Sequence, residues 1–286
     1  MSRAMGSTEA TMLTLQEAAD VVGCHYQTLY RRVRNGDIPA LVAGGSYRIR
    51  REDLDAWLEE RDQRAGAVPD RGQRDWPGQA DRLFSHLITG DTDAARQQID
   101  RLLGGGASVA EFCDSLFGPI LYRIGDLWRK GDLTIADEHR ASRTVEALLE
   151  RVLTARPKPG PKLGSVVVAA PRGDRHSLPG LMVTVGLRAD GFVVHHLGAD
   201  LPSAEIVDMA RRESADLVAL SCSTEEREGI AEAIAAVRDA GFPVLVGGSG
   251  IGGAEAIELG AVRYGGSVAE AQQSARAIVR ERAAAR

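Results

Sequence analysis

The feature that most constrains the fold is a change of pattern near residue 165. From there on, short runs rich in valine or leucine are separated by segments of helix length. Short apolar strands that alternate with amphipathic helices indicate an α/β fold, a doubly wound parallel sheet covered on both faces. The predicted strands are residues 165–170, 192–197, 217–221 and 244–246. Ligands of such sheets bind beyond the carboxyl ends of the strands, so the loops there are candidate binding sites.

Residues 80–155 show a helical pattern instead, in which apolar side chains recur three and four positions apart. Glycines at 104–106 and at 131 divide this stretch into four predicted helices, which form a four-helix bundle. The flanking segments 65–79 and 156–164 combine proline, glycine and charge without periodicity, and we predict that both are linkers. Residues 1–11 are small and polar, so we expect them to be disordered.

Two short helices and a hairpin are predicted in residues 12–64, before the first linker. Thr14 and Glu17 have the spacing of a capping box, which starts a helix over residues 13–22. A second helix covers residues 26–34. Residues 41–49 carry two glycines in the middle, a pattern typical of a hairpin.

The middle of this region, residues 26–51, concentrates positive charge although the chain as a whole is acidic. Between residues 26 and 51 there are six arginines and one acid, Asp37, whereas the net charge of all 286 residues is −5. The field that attracts phosphate depends on nearby charges, so the local excess favours nucleic-acid binding. A solvated surface on a small protein-interaction domain is the alternative.

The segment LTLQEAADVVGCHYQTLYRRVRNGDIPA, followed by SYRIRREDLDAWL, resembles the winged helix-turn-helix of the MerR and excisionase families. The resemblance covers about 50 residues and implies that the second helix enters the major groove of double-stranded DNA. On this resemblance the candidate DNA contacts are Gln27, Arg31, Arg32 and Arg34 on that helix and Arg48 on the wing.

The loop PRGDRHSLPG, residues 171–180, follows the first predicted strand and precedes a helix expected to begin at about Pro179. An imidazole at this edge of a parallel sheet lies where ligands bind. Asp174 can accept the proton of one ring nitrogen of His176, which leaves the other nitrogen as a donor to a metal. A surface histidine beside an incidental aspartate is the alternative on the loop alone.

This loop and two later segments resemble the cobalamin-binding family, whose loop has the form Asp/Glu-x-His-x-x-Gly. The run LSCST ends the third predicted strand and matches a Ser-x-Ser/Thr/Leu element, with Ser221 and Ser223. The run LVGGSG ends the fourth and matches a Gly-Gly element, with Gly247 and Gly248. The resemblance implies that His176 binds cobalt and that the other elements enclose the nucleotide tail of the cofactor.

The stretch PILYRIGDLWRKGDLTIADEHRAS in the helical region carries Trp128, Glu138 and His139. A tryptophan at this spacing is more often part of a packed core. The Trp-x9-Glu-His pattern, however, resembles the helical cap of light-sensing, adenosylcobalamin-dependent repressors of the CarH type. The resemblance spans about residues 80–280 and implies that these three side chains face the upper side of the corrin.

The chain departs from the family pattern at two positions. Pro179 stands where the family has a glycine, and Gly180 follows one place later. Arg129 follows Trp128, where CarH-type proteins often have a histidine. A guanidinium does not bind cobalt, so the light-state ligand would differ, with His139 as a substitute.

Taken together, these patterns predict a transcription regulator, not an enzyme, switched by a bound cobalamin, with adenosylcobalamin as the expected form. Its expected partners are a double-stranded DNA operator and further copies of itself, in a dimer or tetramer. The alternatives are a sensor of haem or a linear tetrapyrrole, and a corrinoid carrier protein for methyl transfer. No apolar run reaches membrane-spanning length and no signal peptide is apparent, so we expect a cytoplasmic protein without a membrane partner.

Overall fold

The computed structural model describes residues 12–22, 26–34, 38–43, 46–65, 74–155, 160–224 and 226–284. The chain divides into two compact units, Met1–Asp75 and Trp76–Arg286. The first unit contains the predicted winged helix-turn-helix, residues 12–64, which is called the head below. The second contains both the predicted bundle and the predicted sheet.

The head is a winged helix-turn-helix, as predicted. Its elements are β1 (Met12–Thr14), α1 (Leu15–Val22), α2 (Tyr26–Arg34), β2 (Leu41–Ala43), β3 (Ser46–Arg50) and α3 (Arg51–Ala65). Thr14 and Glu17 form the expected reciprocal cap: each backbone N–H donates to the other's side chain, at 2.8 and 3.1 Å. The hairpin is confirmed, but the short β1 was not predicted; it pairs antiparallel with β3 and makes a three-stranded sheet.

The helical region forms the predicted four-helix bundle. Its elements are α4 (Trp76–Thr89), α5 (Thr92–Gly104), α6 (Val109–Glu111), a π-helical segment (Phe112–Phe117), α7 (Gly118–Lys130) and α8 (Ile135–Ala155). The third helix of the bundle runs without a break from α6 through the π-helical segment into α7. Gly131, with φ at +82°, ends α7 in the left-handed conformation, as its glycine predicts.

The first helix of the bundle begins at Trp76, so the predicted linker 65–79 is wrong at its last four residues. Trp76 packs edge-on against Phe112, with ring centroids 6.2 Å apart. Pro77 is tolerated in the first helical turn, where its missing N–H has no helical partner. The aromatic contact therefore extends the helix into a stretch whose composition is typical of a linker.

The second half of this unit is a five-stranded, all-parallel sheet in the order β5-β4-β6-β7-β8. The strands are β4 (Ser165–Pro171), β5 (Val193–Leu201), β6 (Leu217–Ser221), β7 (Val244–Gly247) and β8 (Val262–Arg263). The helices are α9 (Ser177–Asp190), α10 (Ser203–Arg212), α11 (Arg227–Asp239), α12 (Gly253–Glu258) and α13 (Val268–Ala284). The order reverses at β4, which places a ligand crevice at the carboxyl ends of β4 and β6.

The two faces of the sheet are covered by different helices. Val166 and Val168 pack with α9 and α13, whereas Val167 and Ala169 pack with α10 and α11. The bundle joins the first of these faces, because apolar residues of α9 and α13 belong to the bundle's own core. This packing fixes the bundle beside the loop that follows β4.

Among the residues that the structure describes, none of the helices is both long and apolar enough to cross a membrane.

Candidate functional site

The loop after β4 emerges from a central, largely buried strand of the sheet. Six of the seven residues of β4 are buried, which fixes the point where the loop starts. Gly173 has φ at +85°, a left-handed backbone conformation that favours glycine. The helix α9 begins at Ser177, two residues earlier than expected, with His176 at its N-cap. Pro179 therefore lies in the first turn, where proline is tolerated.

Asp174 and His176 form the predicted pair at the carboxyl edge of the sheet. The Nδ1 atom of His176 lies 2.8 Å from Oδ1 of Asp174, and the His176 backbone N–H donates to the same oxygen at 3.0 Å. Asp174 is completely buried, whereas 62% of the His176 side chain is exposed. Because a carboxylate can only accept, Nδ1 carries the proton and Nε2 keeps the lone pair that a metal would use.

The two groups shift each other's pKa in opposite directions. Burial alone would raise the pKa of Asp174, but hydrogen bonds from His176 and from the backbone of Ser223 hold it below its usual value. The hydrogen bond to Asp174 raises the pKa of His176 against the effect of burial, and the charges of Asp174 and Glu138 add to it. Asp174 is therefore ionised and orients the imidazole at neutral pH.

The other carboxylate oxygen of Asp174 ties this loop to the loop after β6. It accepts hydrogen bonds from the backbone N–H groups of Ser223, at 2.5 Å, and Thr224, at 3.2 Å. Ser221 is buried at the end of β6, and Ser223 is half-buried. The predicted serine element thus adjoins the loop of residues 172–176, called the histidine loop below. Ser223 contacts this loop through its backbone.

Gly247 and Gly248 end β7 beside the same loop. A Cβ at Gly247 would lie 1.9 Å from the ring of Tyr264, and one at Gly248 would lie 2.1 Å from the carbonyl oxygen of Cys222. Gly248 also has φ at +105°. These glycines permit the loops at the strand ends to pack closely against their neighbours. From the sequence we expected them to leave room for a bound group instead.

The structure places Trp128 in the last turn of α7 and Glu138 and His139 in the first turns of α8. Trp128 is 48% exposed, which makes it an unusual surface tryptophan and not a core residue. The side chain of Glu138 is 28% exposed and accepts a hydrogen bond from Oγ of Ser142 at 2.6 Å. The charge of Glu138 makes only a small contribution to the raised pKa of His176.

The imidazole of His139 is 73% exposed and its Nε2 lies 3.5 Å from a carboxylate oxygen of Glu138. Arg129, next to Trp128, pairs with Asp126 at 3.3 Å, and Lys130 pairs with the same aspartate at 2.8 Å. The chemistry of Arg129 excludes it as a cobalt ligand. Within residues 119–142, His139 is the residue whose side chain carries an imidazole.

The predicted DNA contacts on α2 are only partly within the description. Arg32 is exposed and Arg48 is half-buried on β3. The side chains of Gln27, Arg31 and Arg34 lie outside the described residues, although their backbones belong to α2. The helix and the wing are present as the sequence indicates.

Sequence analysis missed one residue of the site, Asp200, near the end of β5. Its backbone N–H donates to the carbonyl oxygen of Asp174 at 2.8 Å, and its Oδ1 accepts from the N–H of Gly173 at 2.9 Å. Parallel pairing of β4 with β5 creates these contacts between residues about 26 positions apart. Nothing in the local sequence around Asp200 signals them.

The residues present fit a metal that is held in a macrocycle. The loop offers one oriented imidazole nitrogen, which would suit a metal whose other ligands come from a macrocycle, as a single histidine does for haem iron. The buried aspartate behind the ring is the kind of partner that fixes a metal-binding histidine. An exposed tryptophan and a half-buried glutamate on the neighbouring bundle add apolar and polar surface.

Comparison with known families matches three segments of the chain. A family model described as a helix-turn-helix domain matches residues 12–62. Two models, each described as a B12 binding domain, match residues 79–153 and 164–273. These segments coincide with the head, the bundle and the sheet. The chain thus combines a helix-turn-helix domain with a two-part B12-binding module.

Two kinds of relative share this module. The chain is 31% identical over 180 residues to the HTH-type transcriptional repressor CarA of Myxococcus xanthus, which covers 60% of this chain and 60% of that protein. It is 25% identical over 204 residues to dimethylamine corrinoid protein 1 of Methanosarcina acetivorans, 69% of this chain and 95% of that protein. The solved monomethylamine corrinoid protein of Methanosarcina barkeri shares the fold, with 18% identity, a TM-score of 0.60 and coverage of 71% and 99%.

Proposed function

We propose that this chain, a B12-binding helix-turn-helix regulator of transcription, is switched by light through adenosylcobalamin. The observation that carries the proposal is the oriented His176, held by buried Asp174 at the carboxyl edge of the sheet. It lies in one chain with a winged helix-turn-helix head. A head that reads DNA and a site that holds a cofactor are the two parts that a ligand-dependent regulator needs.

The lower side of the site is assigned to the histidine loop. His176 would bind cobalt through Nε2, while Asp174 keeps the proton on Nδ1 and fixes the plane of the ring. Ser223 and Thr224 anchor Asp174 through their backbone N–H groups. Ser221, Gly247 and Gly248, at the ends of β6 and β7, are assigned to the nucleotide tail on the family resemblance.

The upper side is assigned to the junction of α7 and α8. When bound, adenosylcobalamin supplies a cobalt–carbon bond that light breaks, with loss of a bulky upper group. Trp128 offers an exposed aromatic face for such a group, and Glu138 an acceptor for its polar edge. His139 is the imidazole of this stretch that is available to replace it in the light.

The switch would act through the bundle. Trp128 and Glu138 flank the α7–α8 turn, where Gly131 has a left-handed backbone. A group wedged against Trp128 favours one position of these helices, and its loss shifts the population to another. Copies of the chain would then assemble differently, as a dimer or tetramer, and pair their heads differently on an operator.

A corrinoid carrier for methyl transfer is the second candidate, because corrinoid proteins are among the relatives. The two functions differ in the need for a DNA-binding head. A carrier has no use for the helix-turn-helix domain at residues 12–62, whereas a regulator requires it. The head therefore favours regulation.

The test loads the purified protein with adenosylcobalamin in the dark, then compares dark and green-illuminated samples. We expect an absorption change on illumination, with a change in molar mass by light scattering and in operator affinity by gel shift. His176→Ala should remove the imidazole-bound spectrum and weaken cofactor binding, whereas Asp174→Asn, which changes the partner that orients the ring, should do so in milder form, by about 10–100-fold. Trp128→Ala should reduce the dark–light difference in mass.

The control for Trp128→Ala is Ile257→Ala, which changes another exposed large apolar side chain, on α12. It should behave as the unmodified protein. Identical mass and DNA affinity in dark, illuminated and cofactor-free samples would overturn the switch. Absorption bands of haem or of a linear tetrapyrrole in the protein as isolated would replace cobalamin as the cofactor.

A further inference from the structure

Asp200 has a backbone conformation that few aspartates adopt. Its φ is +59°, and among the described residues only Ser214, at +47°, is another non-glycine residue with positive φ. Aspartate tolerates this left-handed region better than most side chains, but surrounding contacts must hold it there. Asp200 lies next to the last residue of β5, beside the histidine loop.

The position of Asp200 results from two irregularities in the pairing of β4 with β5. Val168 pairs with His196 but Ala169 pairs with Gly198, and the register shifts again before Pro171 pairs with Leu201. Each shift adds a residue to β5, and bulges of this kind re-aim side chains near functional sites. Here they turn Asp200 toward the loop that leaves β4.

Asp200 contacts three successive residues of that loop. Its N–H donates to the carbonyl oxygen of Asp174 at 2.8 Å, and its Oδ1 accepts from the N–H of Gly173 at 2.9 Å. Its Oδ2 lies 3.9 Å from Nε of Arg175. The loop is therefore bound to β5 on one side by Asp200 and to the β6 loop on the other by the Asp174 side chain.

We propose that Asp200 is a positioning residue for the metal ligand: by holding the backbone of Gly173 and Asp174, it keeps the imidazole of His176 in the orientation that binds cobalt. This inference rests on the proposed function, since it assumes that His176 is the ligand. Asp200 acts at one remove from the imidazole, through the backbone of Gly173 and of Asp174, whose carboxylate orients the ring.

The experiment separates the side-chain acceptor of Asp200 from its backbone conformation. Asp200→Gly frees the left-handed backbone but removes the acceptor, whereas Asp200→Asn keeps an acceptor oxygen and a side chain that tolerates positive φ. Ser214→Gly is the matched control: it relieves the other left-handed residue, in the turn between α10 and β6. Each protein is loaded with hydroxocobalamin, and the ratio of histidine-bound to histidine-free cofactor is read from its absorption spectrum.

We expect Asp200→Gly to lower that ratio about tenfold, the lower end of the effect of partners that orient metal ligands. Asp200→Asn should stay within about threefold of the unmodified protein, and Ser214→Gly should be unchanged. Circular dichroism of the cofactor-free proteins establishes that each variant is folded. Should Asp200→Gly fail to fold, Asp200→Ser, which retains a shorter acceptor, is expected to fall between the glycine and asparagine variants.

Three results would overturn the inference: an unchanged ratio in Asp200→Gly, an equal loss in Ser214→Gly, or an equal loss in Asp200→Asn. Failure of the proposed function is distinct. If His176 is not the ligand, the unmodified protein and His176→Ala have the same cobalamin spectrum, and if the switch is wrong, mass and DNA affinity do not change on illumination, whatever happens at Asp200.

Discussion

At the scale of single residues, Asp174 does more than orient one ring. Its two oxygens accept hydrogen bonds from the ring and backbone of His176 and from the backbones of Ser223 and Thr224. A completely buried carboxylate would be costly without such donors. The same contacts that stabilise its charge therefore join two strand-end loops and set the geometry of the site.

His196, on β5, is a histidine in the opposite situation. Its Nε2 is buried without a hydrogen-bond partner in the described part of the chain, next to Gly180. Burial, with a smaller effect of the Arg188 charge, lowers the pKa of His196, and Glu146 opposes this only in part. The folded protein therefore binds a proton here less readily than the unfolded chain does.

This difference predicts an acid-sensitive stability. An unfolded histidine takes up its proton at a pH of about 6.5, so the free energy of unfolding falls as the pH drops below that value. His196→Leu removes the titration and should flatten the dependence by up to about 1.4 kcal/mol per pH unit. Urea unfolding of the cofactor-free protein between pH 5 and 7.5 measures it. Parallel curves for His196→Leu and the unmodified protein would contradict the prediction.

At the scale of elements, the π-helical segment 112–117 joins the bundle to the sheet. Its Asp114 accepts hydrogen bonds from the backbone N–H groups of Val268, at 2.6 Å, and Ala269, at 3.1 Å. These are the first residues of α13, whose N-terminal end attracts a negative charge. The wider turn of a π-helix often marks a functional position, and here it directs a carboxylate at a neighbouring helix.

We expect Asp114→Asn to loosen this junction. A hydrogen bond to a charged group contributes about 1.5–3 kcal/mol, and partial exposure of Asp114 reduces this to about 1 kcal/mol. Hydrogen exchange should become faster at the first amides of α13, with a small loss in the midpoint of thermal unfolding. Asp93→Asn, at an exposed aspartate in the first turn of α5, is the control. Unchanged exchange at Val268 and Ala269 would show that Asp114 does not hold α13.

Whether a feature of the fold or the site could be predicted from the sequence depends on how far apart along the chain its interacting residues lie. The periodicity of α8 and the short apolar runs of β4 and β6 are local patterns, and the motif of Asp174 and His176 spans three residues. The two-residue strand β8 carries no such pattern and exists only because β7 pairs with it. The early start of α4, the π-helical segment and the contacts of Asp200 likewise depend on residues distant in sequence.

At the scale of the whole molecule, positive charge is concentrated in the segment that we expect to contact DNA. The chain carries a net charge of −5, yet six arginines and one acid lie between residues 26 and 51. A basic stretch within an acidic protein limits non-specific attraction of the remaining surface to DNA while retaining it at the segment that contains α2 and the wing. The salt dependence of operator binding should therefore originate almost entirely in the head.

Arg32 offers the test, since its side chain is exposed on α2. If Arg32 neutralises a phosphate, Arg32→Ala should weaken operator binding and reduce the slope of log affinity against log salt by about one. Arg96→Ala removes an arginine of similar exposure from α5, where it pairs with Asp93 at 3.7 Å, and should leave the slope unchanged. Gel shifts at four salt concentrations, with cobalamin spectra to verify an intact site, give both slopes. Equal slopes for Arg32→Ala and Arg96→Ala would mean that α2 does not contact the phosphate backbone through Arg32, and the docking of the head would have to be reassigned.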